Sequence, residues 1–237
     1  GESYWANSAK TSIRQKHWYA YENGDDEAIS SFKTGWYNEE GIEMIEQDIV
    51  AALRPMENGE HALEIQTTLR PAPGRETTKL GKTNFGILAV RVADSLSHHF
   101  GGGNLTNSEG IVGEKEIFGN AARWMDYSGP VVAGTGSDRK TLTEGITFFD
   151  HPENPRYPCK WHVRSDGWMG ASFCMDEGFT LSEENPLTLR YLLHAHSGSY
   201  DPARAEKVAA DFAKRKGFVI RKSERKHRQY DAVRDSR

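Results

Sequence analysis

The chain has 237 residues, 37% of them hydrophobic, 23 glycines and a net charge of −4; that length allows one large domain with a substantial core, and no apolar run approaches the roughly 18 residues of a membrane span. The charge is uneven: residues 219–237 carry seven Lys/Arg against three Asp/Glu, leaving 23 basic against 31 acidic side chains in the rest, a net −8. A body of that sign argues against general binding to nucleic acid.

From the N-terminus, strands are predicted over 13–21, 30–37 and 42–53, with turn chemistry in ENGDD (22–26) and PMENGE (55–60). The clearest period is two, in HALEIQTTLR (61–70): Leu63, Ile65, Thr67 and Leu69 alternate with Glu64, Gln66, Thr68 and Arg70, as in a strand with one wet face. FGILAVRVA (85–93) is apolar throughout and reads as a strand covered on both sides. Residues 97–129 are Gly-rich and polar with no sustained period. A loop of that length in a compact domain is usually functional or disordered. Phe118, Trp124 and Tyr127 argue for order, so an ordered site-forming loop is predicted.

Further strands are predicted over 131–135, 146–149 and 170–174, and LTLRYLLHAH (187–196) alternates again. Leu187, Leu189, Tyr191 and Leu193 take one face; Thr188, Arg190, Leu192, His194 and His196 take the other. Helical character is confined to 201–217, with Asp201 as N-cap, Pro202 as first helical residue and Gly217 just past the end. Ala205, Val208, Ala209 and Phe212 give that helix one apolar face. The fold expected is all-β: a single antiparallel β-sandwich over residues 1–217 with one C-terminal helix. Residues 218–237 read as a basic C-terminal tail, solvated or touching an acidic partner.

Cys159 and Cys174 give no disulfide framework and no metal signature; one bridge or two free thiols fit equally. The chain opens at Gly1 with neither an initiator methionine nor a signal-like stretch, which points to a processed or truncated product and leaves the compartment open.

The stretch FFDHPENPRYPCKWHVRSDGW (148–168) carries the densest chemistry. Pro152, Pro155 and Pro158 stiffen the backbone, and a short strand follows. Lys160, His162 and Arg164 share one face of it, Trp161 and Val163 the other. One reading is a preorganised polar wall near His151, aimed at an anionic or polyhydroxylated ligand across a pocket from the 97–129 loop. The other is a solvated strand face, with His151 bonding turn amides. Glu109 lies on the Gly-flanked stretch NSEG and is the preferred acid/base; Glu116 is second, and a turn-acceptor role for Glu109 fits as well. His194 and His196 at i, i+2 stand about 7 Å apart on one strand face, suited to two ligands of one metal with Glu109 or His162 as a third. The same-face Arg190 disfavours that alternative. Trp124, Trp161 and Trp168 are candidates for stacking on pyranose rings, or are ordinary core residues.

Three stretches together, GGGNLTNSEGIVGEKEIFGNAARWMDYSG, ITFFDHPENPRYPCKWHVRSDGW and LTLRYLLHAHSG, resemble a poorly characterised bacterial family commonly labelled methane oxygenase PmoA-like. The resemblance implies a β-sandwich of the galactose-mutarotase-like kind, in bacteria that often encode it beside carbohydrate-catabolic genes; it implies no settled reaction. The label is at odds with a chain that has no membrane span. Asn107, Glu109, Trp124, Asp126, His151, Asn154, Trp161, His162 and Arg164 match the family's patterns, which adds Asn107, Asp126 and Asn154 to Trp124, Lys160 and Trp161 as ligand-binding candidates. Members usually carry a further His-rich segment before a stretch like GESYW (1–5), so a missing N-terminal segment is expected.

Three functions follow. The first is a carbohydrate-active lyase, hydrolase or epimerase with Glu109 as acid/base, His162 or His151 as its partner and Arg164 binding an oxyanion or hydroxyl; it needs no cofactor. The second is a non-catalytic carbohydrate-binding sandwich. The third is a cupin-like enzyme holding a divalent metal on His194 and His196. In each the partner is a carbohydrate or another small polar ligand, with neither nucleic acid nor membrane.

Overall fold

The computed structural model describes residues 2–5 and 9–236. In chain order the strands are β1 (Ser12–Asn23), β2 (Ala28–Tyr37), β3 (Glu43–Pro55), β4 (His61–Pro71), β5 (Thr77–Leu80) and β6 (Leu88–Arg91). They continue with β7 (Asn104–Asn107), β8 (Trp124–Ala133), β9 (Lys140–Asp150), β10 (Trp161–Arg164) and β11 (Trp168–Ala171). The last four are β12 (Phe179–Ser182), β13 (Leu187–Ser197), β14 (Phe218–Lys222) and β15 (Tyr230–Arg234). Three short α-helices join them: α1 (His98–Gly101), α2 (Glu114–Ile117) and α3 (Pro202–Lys214).

An eight-stranded antiparallel sheet ordered β1-β2-β3-β4-β13-β9-β8-β7 is the frame. Its middle follows from the two alternating stretches. Leu187, Leu189 and Tyr191 pair with Leu69, Thr67 and Ile65, so the dry faces of β13 and β4 coincide. Two small sheets, β10-β11-β6 and β12-β5, cover that face. Trp161, Val163, Met169 and Leu181 descend from them onto Leu69, Phe148, Leu187 and Tyr191 in the main core. The opposite face is covered by α3, whose Ala205, Val208 and Phe212 pack on Trp124, Phe149 and Leu192. Burying a Phe or Val side chain there contributes roughly 1.5–3 kcal/mol. Asp201 caps the helix by accepting from the amides of Ala203 and Arg204, and Pro202 occupies its first turn. The fold is therefore a β-sandwich-like, mostly antiparallel β architecture with one sizeable C-terminal helix. No helix among the described residues is long and apolar enough to cross a membrane.

Three expectations need correction. Residues 85–93 are not a strand covered on both sides: only Leu88–Arg91 is strand, half-buried at the edge of the β10-β11-β6 sheet, with Arg91 exposed. Residues 97–129 are not one long loop: they contain α1, β7, α2 and the first turns of ladder in β8. Each piece is four residues or so, and Gly102 (φ 75°) and Gly113 (φ 91°) redirect the chain between them in left-handed backbone, so no period accumulates. The basic tail is not frayed either. Strands β14 and β15 form a hairpin that lays Phe218 and Ala232 on Ile29, Val50 and Ala52. Its cations meet acids of the body and one of its own: Arg225 and Arg228 pair with Glu22 of β1 and with Asp231 of β15, and Arg234 with Glu27 and Glu64. The charge asymmetry read from the sequence is an internal complementarity.

Candidate functional site

The proline-rich segment acts as a buckle between β9 and β13. Asn154 donates to Asp150 Oδ1 and to the Arg190 carbonyl, both at 2.7 Å, and accepts from the Arg190 amide at 2.7 Å. Asp150 also accepts from the Cys159 amide at 2.9 Å, and burial raises its pKa to about 6. His151 is fully buried under α3. Its Nδ1 accepts from the Glu153 amide (3.1 Å), which leaves Nε2–H to donate to the Phe212 carbonyl (3.2 Å). Burial, with Arg190 nearby, lowers its pKa to about 4. Cys159 and Cys174 are free and buried.

Beyond the buckle, β10 presents the alternation expected. Trp161 and Val163 are wholly in the core, and Trp161 Nε1 donates to the Ala122 carbonyl at 2.8 Å. On the other face the three polar residues go separate ways. Lys160 pairs with Asp176 (2.8 Å), and Arg164, half exposed, pairs with Asp166 (2.7 Å). His162 is buried, with 7% of its surface exposed. The ring centroids of Phe85, Phe118 and Trp168 lie 4.9, 5.2 and 6.2 Å from its own. Trp5 extends the frame, stacked on Phe85 at 6.0 Å and edge-on to Trp168 at 5.3 Å. Burial lowers the His162 pKa, so the imidazole is neutral at pH 7. Its Nδ1 is buried without a hydrogen-bond partner, as is Trp168 Nε1. Buried polar atoms are nearly always satisfied; His17 Nε2 and Trp18 Nε1 are unpaired in a second aromatic cluster, and what sets the His162 cluster apart is the cavity that Trp5 and Phe85 wall beside it.

The frame is open outwards. Trp5, Phe85 and Phe118 are 42%, 39% and 41% exposed. Trp5 and Phe85 also wall a cavity of about 670 Å³ that runs past Tyr4, Trp36, Lys79 and Lys82, within the roughly 300–1,000 Å³ range of small-ligand sites. The 97–129 segment meets this wall by direct contact, not across a pocket: Tyr127 Oη donates to the Arg164 carbonyl (2.8 Å), and Glu114 accepts from the Ser165 amide (2.6 Å).

The remaining candidates belong to a different neighbourhood. Asn107 accepts from the amides of Glu109 (3.0 Å) and Ile111 (2.9 Å) and so shapes a turn. Glu109 is exposed on that turn, accepting from Ser108 Oγ (2.9 Å) with Arg123 Nε 3.9 Å away. Trp124 is buried beneath Arg123, its Nε1 donating to Tyr200 Oη at 3.0 Å. Asp126 is fully buried and accepts from Ser128, from Thr147 (2.7 Å) and from His196 Nε2 (2.8 Å). A hydrogen-bonded chain continues from there. Arg204 donates to His196 Nδ1 (3.0 Å) and to Glu60 (3.0 Å), and His194 Nε2 donates to Glu60 at 2.7 Å. Burial alone would raise the Glu60 pKa, but the Ser197 amide and His194 more than reverse this; burial lowers that of His194. The pair is thus a neutral imidazole donating to a carboxylate.

These contacts decide which candidates share a site. No hydrogen bond or ion pair among the described residues joins any two of Glu109, His151, His162 and Arg164. His194 and His196 direct their Nε2 atoms at different carboxylates, with Arg204 between. Among the described residues no group of three or more His, Cys, Asp or Glu is arranged to hold a metal ion. Of the residues around the open site, Trp5 and Phe85 had no signal in the sequence. Positions 5, 85, 118, 162 and 168 share no spacing, and only the tertiary fold brings them together.

The model of a family of unknown function, DUF6807, matches residues 1–210. The chain belongs to that family. No curated protein matches it. The DUF6807 match runs from the N-terminal aromatics of the frame through β13 into α3, so it spans every residue of both neighbourhoods described above; the β14–β15 hairpin lies outside it.

Proposed function

We propose that this DUF6807 protein is a carbohydrate-binding β-sandwich. A sugar ring stacks on the exposed faces of Trp5 and Phe85 and reaches His162 Nδ1, sealed beneath the rings, once an exposed ring such as Phe85 or Phe118 swings aside. The observation that carries the reading is the pair of exposed rings, Trp5 and Phe85, on the wall of the cavity, with the orphaned Nδ1 of His162 directly beneath Phe85. Aromatic faces bind the apolar C–H face of a pyranose, and a neutral imidazole can donate to or accept from a hydroxyl. The resemblance to the family labelled PmoA-like, which bacteria often encode beside carbohydrate-catabolic genes, supports the same ligand class.

A binding role is favoured over acid–base catalysis by what each carboxylate touches. General acid/base work needs a group within hydrogen-bond reach of the reacting atom. Glu109 is engaged by Ser108 and stands beside Arg123, and the carboxylate–imidazole pairs of Asp126–His196 and Glu60–His194 are closed by Arg204.

Affinity gel electrophoresis through a panel of soluble polysaccharides tests this. The native protein is expected to be retarded by at least one of them, and Trp5→Ala with Phe85→Ala to migrate as in a sugar-free gel. No retardation by any polysaccharide, or retardation unchanged in the double variant, would overturn the proposal.

A further inference from the structure

Resting on the carbohydrate reading, we infer that the ligand of this site is an anionic sugar, carrying a uronate or a sulfate ester, whose negative group is met by Lys79 and Lys82.

The inference starts from charge. Strand β5 and the residues after it edge the cavity, and they place Lys79 and Lys82 on the same rim that Trp5 and Phe85 wall. Both lysines are exposed. Neither ammonium group makes a hydrogen bond or ion pair with a described residue, whereas those of Lys16, Lys33 and Lys160 are each held by carboxylates at 2.6–2.8 Å. The rim's own carboxylate, Glu2, accepts from Tyr4 Oη at 3.4 Å. With two ammonium groups against the one carboxylate of Glu2, the cavity lining carries a net positive charge in a chain whose body is acidic.

Shape and charge agree. A pyranose lying flat on Trp5 and Phe85 projects its equatorial substituents and any carboxylate sideways, in the plane of the ring, towards the cavity rim. The ammonium groups act there as mobile point charges that suit either acid group. A site of this kind attracts an anionic ligand through solvent-exposed charges, so its affinity falls with ionic strength, while the stacking contribution does not. His162, neutral and enclosed, reads a hydroxyl rather than the acid.

The test uses the whole chain and its Lys79→Gln/Lys82→Gln variant, two exposed substitutions outside the core. Affinity electrophoresis and calorimetry compare polygalacturonate (uronate), carrageenan (sulfate ester) and dextran (neutral) at low and at physiological salt. The expected result is preferential binding of one or both acidic polymers, weakened about tenfold by the double lysine variant and weakened by salt. The polymer that binds identifies the acid group. Equal binding of dextran and the acidic polymers, indifferent to the lysine variant, overturns this inference and leaves the carbohydrate reading standing. Acidic-polymer binding that survives both the lysine variant and Trp5→Ala with Phe85→Ala overturns both, as does the absence of binding to any polymer.

Discussion

The two faces of the large sheet treat histidine in opposite ways. On the α3 side, His151, His194 and His196 are almost wholly buried, and each is tied to a carbonyl or carboxylate. Arg204 bridges His196 and Glu60 so that Asp126, His196, Arg204, Glu60 and His194 form one continuous hydrogen-bonded chain. On the small-sheet side, His162 is buried among aromatic rings; the Asn84 backbone engages its ring, and its Nδ1 meets nothing. The first arrangement uses imidazole as a structural donor, where satisfied hydrogen bonds compensate for burial. The second leaves an unmet hydrogen-bonding atom where a ligand can reach the surrounding rings. Among perturbed groups in one molecule, geometry tells the structural from the functional more sharply than burial does.

The contrast is broken most severely at Asp126. Asp126→Ala removes the acceptor for Ser128, Thr147 and His196 at once. Leaving buried donors unpaired is expected to cost on the order of 3–5 kcal/mol, measured by urea denaturation; a cost below about 1 kcal/mol would mean that the chain is not one structural unit. Gly145 supports the same unit, since a Cβ there would stand 2.5 Å from His196 Cε1.

His151 sharpens the comparison through pH. Its pKa of about 4 in the folded protein lies below the ordinary value of 6.5, so between these values the unfolded chain binds more protons. Stability from this group is intact above pH 6.5 and lost as pH falls towards 4. The loss is of order 2–3 kcal/mol. Asp150, raised to about 6, has the opposite sign: the folded state holds its proton longer, so its contribution is present below pH 3.8 and lost as pH rises through 6. Comparing the native protein with His151→Gln at each pH isolates the histidine. The difference in unfolding free energy between them should drift in favour of the variant as pH falls from 6.5 to 4, and a pH-independent difference contradicts the assignment.

The smallest effect is expected at Glu109. It is exposed and its contacts are local, so Glu109→Gln should change stability by no more than about 0.5 kcal/mol and leave carbohydrate binding unaltered. A large loss of binding in that variant would restore Glu109 to the site.

Much of the frame was legible because its strands have one dry face. The period of two in 61–70 and 187–196 led to the paired centre of the large sheet, and Asp201–Pro202 marked the start of α3. The 97–129 segment was illegible for the opposite reason: one-turn helices and four-residue strands are too short to establish a period. The C-terminal hairpin was hidden by its charges, whose partners Glu22, Glu27 and Glu64 lie far away in sequence. For the site, β10 alternation singled out His162. The same pattern gave no way to distinguish it from Lys160 and Arg164, which the fold engages with surface carboxylates. A Gly-flanked glutamate such as Glu109 looks alike in sequence whether it serves a turn or a ligand. The decisive aromatics come from four separate segments, and only the closed sandwich shows them as one frame.

The central claim is that ligand meets His162 and not the closed histidines. Titrating labelled protein with the polysaccharide it binds, while following imidazole resonances by NMR, tests this most directly. The account predicts that the His162 side-chain signals and the Trp5 indole signal move with saturation while those of His151, His194 and His196 stay in place. Movement of the His194 and His196 signals with His162 unmoved would contradict it.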